Sequence, residues 1–143
     1  MLSQTSKIAI KAIIYLSDIS FDGKKAGVNE VAEKINASKH TVSKALQTLV
    51  RRHVINSQKG PAGGFYLSEK QQSQAIYKII EAIDGGTLFT ECGLGLKLCS
   101  ETRPCPIHNE YKVVRERLES IFKEKKVQDL RETVSDGLAF LMD

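Results

Sequence analysis

The chain has 143 residues, a length that suits one domain of ordinary size or a small domain with an added oligomerisation element. Hydrophobic residues make up 41% and charged residues 27%, which excludes a disordered or fibrous protein. The net charge of +4 is unevenly spread, because residues 1 to 70 have 11 Lys and Arg against 5 Asp and Glu, whereas residues 71 to 143 have 10 against 12. The first half is therefore the basic half.

The first predicted helix spans residues 3 to 19, where apolar side chains recur at intervals of three and four. No signal peptide or membrane span is expected, because the apolar run from Ile8 to Leu16 contains Lys11 and is far shorter than the roughly 20 residues that a span requires. The segment FDGKKAG that follows predicts a loop or a short strand. We expect a cytoplasmic protein with no membrane partner.

Two short helices separated by a tight turn are predicted next. The first begins near Asn29, and the second runs from Lys39 to His53 with Ser38 as its expected N-cap. The apolar positions of the second helix lie on one face, and the opposite face is polar and basic. This pattern is typical of a helix-turn-helix, whose second helix enters the major groove of DNA.

Two strand-like segments, residues 54 to 58 and 64 to 68, predict a β-hairpin with a glycine-rich tip, which would be the wing of a winged helix. Between Asn36 and Ser68 the chain has five Lys and Arg and no Asp or Glu, which favours contact with phosphates over a merely solvated face. The candidate DNA-binding residues are Ser38, Lys39, His40, Thr41, Ser43, Lys44, Arg51, Lys59, Gly60 and Gly63.

A further helix is predicted over residues 73 to 83 and closed by Asp84-Gly85-Gly86, so that the DNA-binding domain would occupy residues 1 to 86. The next stretch, residues 87 to 106, is a cysteine-rich sensing loop that we call the cysteine segment. Its three cysteines are too few and too close for a disulfide framework, and they indicate a cluster, a metal or thiol chemistry. Zinc ligands are usually paired at closer spacing, whereas long, glycine-containing gaps suit a cluster.

A long helix is predicted over residues 107 to 126, and its apolar positions form one seam: Ile107, Tyr111, Val114, Leu118 and Ile121. A second copy of the chain would bury this seam, and packing on its own domain is the alternative. The last predicted helix covers residues 127 to 142, with inward side chains at Leu130, Val134, Leu138 and Leu141. Residues 107 to 143 would thus provide the dimerisation and C-terminal helices.

Several segments, taken in chain order, together resemble one family. They are LSQTSKIAIKAIIYLS, VNEVAEKINASKHTVSKALQTLVRRHVI, KGPAGGFYLS, EAIDGG and CSETRPCPIH. Over nearly the whole chain they resemble the Rrf2 family of bacterial winged-helix regulators, of the IscR and NsrR type. The resemblance implies a homodimeric transcription regulator whose cysteine loop, beside the dimer helix, controls the DNA-binding heads.

The resemblance also implies a set of iron-sulfur ligands. Cys92, Cys99 and Cys105 would be thiolate ligands of a [2Fe-2S] or [4Fe-4S] cluster, and His108 resembles the fourth ligand of the IscR type. The sequence departs from the family pattern in two places, which leaves the fourth ligand open. The first gap between cysteines has six residues, one more than in the IscR type, and Lys7 stands about where the NsrR type has an aspartate ligand. Some family members sense cysteine metabolism or other signals without a cluster.

We therefore expect a mainly α protein, a winged helix-turn-helix with a small β-hairpin wing and a long C-terminal dimerisation helix. It would be a homodimeric repressor that binds pseudo-palindromic double-stranded DNA and is switched by an iron-sulfur cluster, redox state or nitric oxide. The alternatives are a winged-helix regulator that senses through thiols or a protein partner, and a helical protein-protein adaptor. An enzyme, such as a thiol oxidoreductase, is disfavoured because the chain has no C-x-x-C motif and no grouped acid, base and nucleophile.

Overall fold

The computed structural model describes residues 2–142 as a mainly helical chain with one two-stranded antiparallel hairpin, which confirms the predicted fold class. The helices are α1 (Gln4–Phe21), α2 (Val28–Lys34), α3 (Lys39–Arg51), α4 (Glu69–Gln72), α5 (Ile76–Asp84), α6 (His108–Glu124) and α7 (Val127–Ser135), with a 3-10 helix at Thr87–Phe89. The strands are β1 (Asn56–Gln58) and β2 (Gly64–Tyr66), in a register that places Asn56 opposite Tyr66. No helix in this part of the chain is both long and apolar enough to cross a bilayer.

The hydrophobic core lies between α1, α3 and α5 and extends to α2 and the hairpin. The largest fully buried apolar side chains are Ile13, Leu16, Val31, Val42, Leu46, Leu49, Ile55, Ile76, Ile79, Ile80 and Val127. Each such side chain contributes roughly 1.5–3 kcal/mol through its removal from water. Because Val127 opens α7, the C-terminal part of the chain is anchored to the same core.

Backbone geometry sets the ends of the two predicted DNA-reading helices. α2 begins at Val28 with Gly27 as its N-cap, one residue before the predicted start at Asn29. α3 begins after Ser38, as expected, and ends at Arg51 rather than at residue 53. It ends there because Arg52 is the C-cap and His53 has a φ of +60°, in the left-handed region that cannot continue a right-handed helix.

The wing has shorter strands than the sequence predicts, and it gains a third partner from the loop between α1 and α2. Ala26 pairs with Phe65 through two backbone hydrogen bonds of 3.1 and 2.8 Å. Gly64 makes this approach possible, since a Cβ at that position would lie 2.9 Å from the backbone of Ala26. Its φ of +140° also favours glycine.

The helix predicted over residues 73 to 83 begins three residues later, at Ile76, and a separate short helix, α4, precedes it. α4 begins with a capping box formed by Ser68 and Gln71, and α5 begins only at Ile76. The break arises because Ala75 is extended and pairs with Lys126 in an isolated β-bridge. This bridge ties the start of α5 to the junction between α6 and α7.

The prediction of a last helix over residues 127 to 142 is wrong at its C-terminal end. α7 ends at Ser135, where Gly137 has a φ of +72° and its N–H donates to the Val134 carbonyl, while the Leu138 N–H donates to the Thr133 carbonyl. This pair of bonds is a Schellman motif, which terminates a helix. Leu138 is consequently 79% exposed instead of inward.

Candidate functional site

The outer face of α3 is free of packing contacts with the core. Its inner face contributes Val42, Ala45, Leu46 and Leu49, all buried, so that the opposite face must point outward. The predicted DNA-binding residues of this region are exposed at Ser38, Lys39, His40, Lys44 and Arg51 and half-buried at Thr41 and Ser43. The helix thus presents a continuous row of donors and cations.

Hydrogen bonds along α3 order part of this row. Gln47 donates to the Ser43 hydroxyl at 3.1 Å, and Arg51 donates to the Thr48 hydroxyl at 3.2 Å. A side chain fixed in this way loses less conformational freedom when it meets a ligand. Ser38, at the N-terminal end, makes no side-chain capping bond, so its hydroxyl is free for another partner.

The wing lies beside α3 and extends the same surface. A groove between the two elements is lined by Gln47, Val50, Arg51, Ser57 and Phe65. Lys59 and Gly60 are exposed at the wing tip and Gly63 is half-buried, and Gly60 adopts a φ of +100° in the turn. The structure therefore brings the predicted residues of α3 and the wing to one side of the molecule.

Two further lysines lie beside the wing, and the sequence reasoning did not select them. Lys24 and Lys25 precede Ala26, whose pairing with Phe65 brings the loop alongside the hairpin. They line a hollow together with Lys34 and the wing-tip residues 61–63. The Lys25 ammonium lies 5.1 Å from the centre of the Tyr66 ring, a cation–π contact. A short strand was one of the two predictions for FDGKKAG, and a strand there would have placed these lysines beside the hairpin.

The three cysteines of the cysteine segment occupy different environments. Cys92 and Cys105 are buried, and Cys99 is half-buried. The pKa of the Cys92 thiol is lowered, first because the backbone N–H groups of Leu94 and Leu96 favour its thiolate. The pKa of the Cys105 thiol is raised, first because burial disfavours its thiolate. These two thiols are neighbours and shift each other's pKa.

Cys99 faces two buried side chains of α6. The His108 Nδ1 lies 3.3 Å from the Cys99 Sγ, and Arg115 Nη1 donates to the same sulfur at 3.3 Å. His108 and Arg115 are seven residues apart, which places them on one face of α6 two turns from each other. His108 Nε2 and Arg115 Nε are buried and have no hydrogen-bond partner among the described residues.

The predicted ligands Cys92, Cys99, Cys105 and His108, which we call the sulfur site, form two pairs in the structure. Cys99 is paired with His108, and Cys92 is the neighbour of Cys105. Within residues 2–142, no three His, Cys, Asp or Glu side chains converge as they would around a single metal ion. The donor set nevertheless fits a cluster, because cluster ligands are divided between different irons and His can replace Cys.

The predicted seam of α6 is divided between two surroundings. Leu118 is half-buried and packs on the core with Phe122. Three seam positions spaced by seven remain at the surface: Ile107 is 39% exposed, Val114 63% and Ile121 37%. The neighbouring Val113 is 67% exposed. A helix that leaves such a row uncovered has an apolar face available for a partner.

Comparisons with known proteins agree with this geometry. The model of the Rrf2 family, described as an iron-dependent transcriptional regulator, matches residues 2–133. A protein of Aquifex aeolicus named as an HTH-type transcriptional regulator is 29% identical over 132 residues, which cover 91% of this chain and 90% of that protein.

Two solved structures of similar fold are those of CymR and IscR. CymR, the global cysteine regulator of B. subtilis, superposes with a TM-score of 0.76 at 16% identity and covers 92% of this chain and 96% of its own. IscR of T. potens superposes with a TM-score of 0.75 at 15% identity and covers 98% of this chain and 92% of its own. At these identities the likeness is one of fold.

Proposed function

The chain belongs to the Rrf2 family of transcriptional regulators, and from that premise we propose that it is a homodimeric, cytoplasmic repressor whose DNA binding is switched by the sulfur site. One observation carries the DNA-binding part: the exposed face of α3 and the adjacent wing lie in a stretch of chain with five cations and no carboxylate. Such a surface releases counterions from DNA phosphates, which supplies affinity for any sequence.

We assign base contacts and phosphate contacts to residues by their position along α3. The N-terminal residues of a recognition helix reach base edges, and here these are the short polar and basic side chains from Ser38 to Lys44. Arg51, at the C-terminal end, and Lys59, on the wing, would contact phosphates on either side. Gly60 and Gly63 would let the wing backbone approach the duplex closely.

The exposed apolar row on α6 supports a homodimer. Ile107, Val114 and Ile121 are spaced by seven residues, the repeat that two parallel or antiparallel helices bury between them. A two-fold dimer would present two copies of α3 to two half-sites of a pseudo-palindrome, separated by about one helical turn or a multiple of it. A helical adaptor would use the same row but would leave the basic face of α3 without a role.

The arrangement of the sulfur site favours a [2Fe-2S] cluster, because its two ligand pairs would each serve one iron. Cys99 and His108 would form one pair, and Cys92 and Cys105 the other. His108 is favoured as the fourth ligand because it touches Cys99, whereas Lys7 is exposed on α1. When bound, the cluster would supply one-electron chemistry and sensitivity to oxygen or nitric oxide. Free thiols of this kind persist in a reducing compartment.

A second candidate is thiol sensing without a cluster. It is favoured by the lowered pKa of Cys92, which makes that thiol the more nucleophilic of two neighbours. Oxidation of Cys92 and Cys105 to a disulfide would then be the signal, with an external two-electron oxidant such as a peroxide being reduced. In both candidates the sulfur site regulates DNA binding and catalyses no reaction, so no catalytic residue is assigned.

The deciding experiment uses protein purified without oxygen. An absorption spectrum with iron and sulfide analysis should show a cluster, and the loaded and empty forms should differ in affinity for an operator selected from random duplexes. If the two forms bind that operator equally, the sulfur site is not the switch. The logarithm of the affinity should also fall steeply with the logarithm of the salt concentration, and a flat response would favour the adaptor.

A further inference from the structure

Arg115 is a buried cation without a carboxylate. It is only 9% exposed, in the middle of α6, and it forms no ion pair with any Asp or Glu of residues 2–142. Its Nη1 donates to the Glu91 carbonyl oxygen at 2.6 Å and to the Cys99 sulfur at 3.3 Å, and its Nε has no partner. Burial of a charge is costly unless an opposite charge and hydrogen bonds compensate it.

Lys112, another cation of α6, differs from Arg115 because it has carboxylate partners. Lys112 lies about one turn away, its side chain is 34% exposed, and it pairs with Glu101 of the cysteine segment and with Glu116 at 3.9 Å. The more exposed cation thus has two carboxylates, and the more deeply buried one has none. The guanidinium does contact one group that can become anionic, the Cys99 thiol of the sulfur site.

We propose that Arg115 is a positioning residue that supplies the counter-charge for metal-bound thiolate at Cys99 and thereby fixes α6 against the cysteine segment. This inference deepens the proposed function and rests on it, because it requires the sulfur site to take up an anionic iron-sulfur group. Three thiolates and a neutral imidazole exceed the 2+ charge of an oxidised [2Fe-2S] core by one negative charge. Arg115 compensates this charge from the helix side, and His108 reaches the same sulfur from two turns earlier.

The proposal predicts opposite effects of one substitution on the empty and the loaded protein. In the empty protein the guanidinium is a buried charge with no carboxylate partner, and Arg115→Met replaces the apolar stem of the side chain while removing that charge. The empty variant should therefore melt no lower than the empty wild type. The loaded variant should lose its iron about ten- to a hundredfold faster, as expected when a partner of a metal ligand is removed.

The experiment compares full-length wild type, Arg115→Met, Arg115→Lys and the control Arg117→Met, which removes an exposed arginine of the same helix. Each protein is melted empty, under reducing conditions, and again after anaerobic reconstitution with iron and sulfide; the rate of iron loss to a chelator is then measured. Arg115→Lys should restore part of the lifetime because it keeps the charge. Arg117→Met should match wild type throughout.

Three results would overturn the proposal. They are an Arg115→Met variant that retains iron as long as wild type, an Arg115→Lys variant that loses it as fast as Arg115→Met, and an empty Arg115→Met variant that melts clearly below the empty wild type. The last result would mean that the bond to Glu91 merely supports the fold. If wild type takes up no iron and sulfide, the cluster proposal fails separately. The melting temperatures of the empty proteins then still decide whether the guanidinium destabilises or stabilises the fold.

Discussion

The winged helix-turn-helix buries most of its large apolar side chains, whereas the cysteine segment exposes the leucines between its first two cysteines. In the first region Leu46 and Leu49 are 0% exposed, while in the second Leu94 is 56% exposed and Leu98 78%. The first region is built from five α-helices and the wing, whereas the second, after its short 3-10 helix, has no regular secondary structure up to α6. Apolar burial therefore determines the shape of the first region and contributes little to the part of the cysteine segment between Cys92 and Cys99.

The cysteine segment is instead positioned by a few contacts with α6. Cys99 touches His108 and Arg115, Glu101 pairs with Lys112, and the backbone of Gly93 packs so tightly on Tyr111 that a Cβ would lie 2.8 Å from the ring. Such contacts can be rearranged by a ligand without unfolding the core beside them. A ligand bound by the cysteine segment would therefore reshape that region and leave the form of the helix-turn-helix unchanged.

The largest effect should come from Cys99→Ala, which removes a proposed ligand from the cysteine segment. Iron and sulfide content should fall to background, because a cluster needs all its protein ligands, while the urea midpoint of the empty protein should stay near that of wild type. Ser100→Ala, next in the chain, is the matched control and should keep full iron content. Unchanged iron and sulfide in the Cys99 variant would reject that residue as a ligand.

Truncation of leucines tests the difference in apolar burial between the two regions. Leu46→Ala should lower the free energy of unfolding by about 2–5 kcal/mol, because it leaves a cavity in the core. Leu98→Ala should change the free energy by no more than about 0.5 kcal/mol, because the side chain is already in water. Urea denaturation of both variants measures the difference. Equal losses would show that the cysteine segment has an apolar core of its own.

Lys44→Ala tests the DNA-reading region alone. Affinity for the selected operator should fall roughly tenfold, and the salt dependence should lose about one phosphate contact from its slope. Lys125→Ala removes an exposed lysine at the end of α6 and should leave both quantities unchanged. An equal loss for the two variants would indicate a general effect of net charge instead of a contact made by α3.

The smallest effect is expected for Lys25→Ala, beside the wing. The loss of affinity should be a few-fold and similar for specific and random duplexes, since phosphate contacts carry no sequence information. Fluorescence anisotropy at several salt concentrations would reveal a reduction of the slope by up to about one. If the slope is unchanged, the basic surface ends at the wing and does not include the loop between α1 and α2.

Local patterns were sufficient to predict most of the fold. The helical repeat of apolar residues placed α1, α3 and α6 to within about two residues, because each helix buries one face on a shared core. The end of α7 was missed because Leu138 and Leu141 continue the apolar repeat, and only the left-handed Gly137 ends the helix. The division into residues 1 to 86, 87 to 106 and 107 to 143 remains a proposal.

The candidate site was predictable only in part, for a physical reason. His40, Ser43 and Lys44 lie on one face of α3, because spacings of three and four residues match the helical repeat. The position of Lys25 beside the wing depends on a β-bridge between Ala26 and Phe65, a long-range pairing that no local pattern encodes. Arg115 resembles the solvated arginines around it, and its burial follows from the folding of the cysteine segment over α6.

The β-bridge between Ala75 and Lys126 gives α6 the mechanics of a lever. At the C-terminal end of the helix, the Ile76 N–H donates to the Lys125 carbonyl at 2.9 Å and the Val127 N–H donates to the Gln74 carbonyl at 3.0 Å, which makes this end the pivot. The arm is 17 residues, or about 25 Å, long. A tilt of about 10° at the pivot would therefore displace the sulfur end by about 4 Å. By the same geometry, a shift of about 2 Å at the Cys99 end of α6 would correspond to a tilt of about 5° at the end that joins α5.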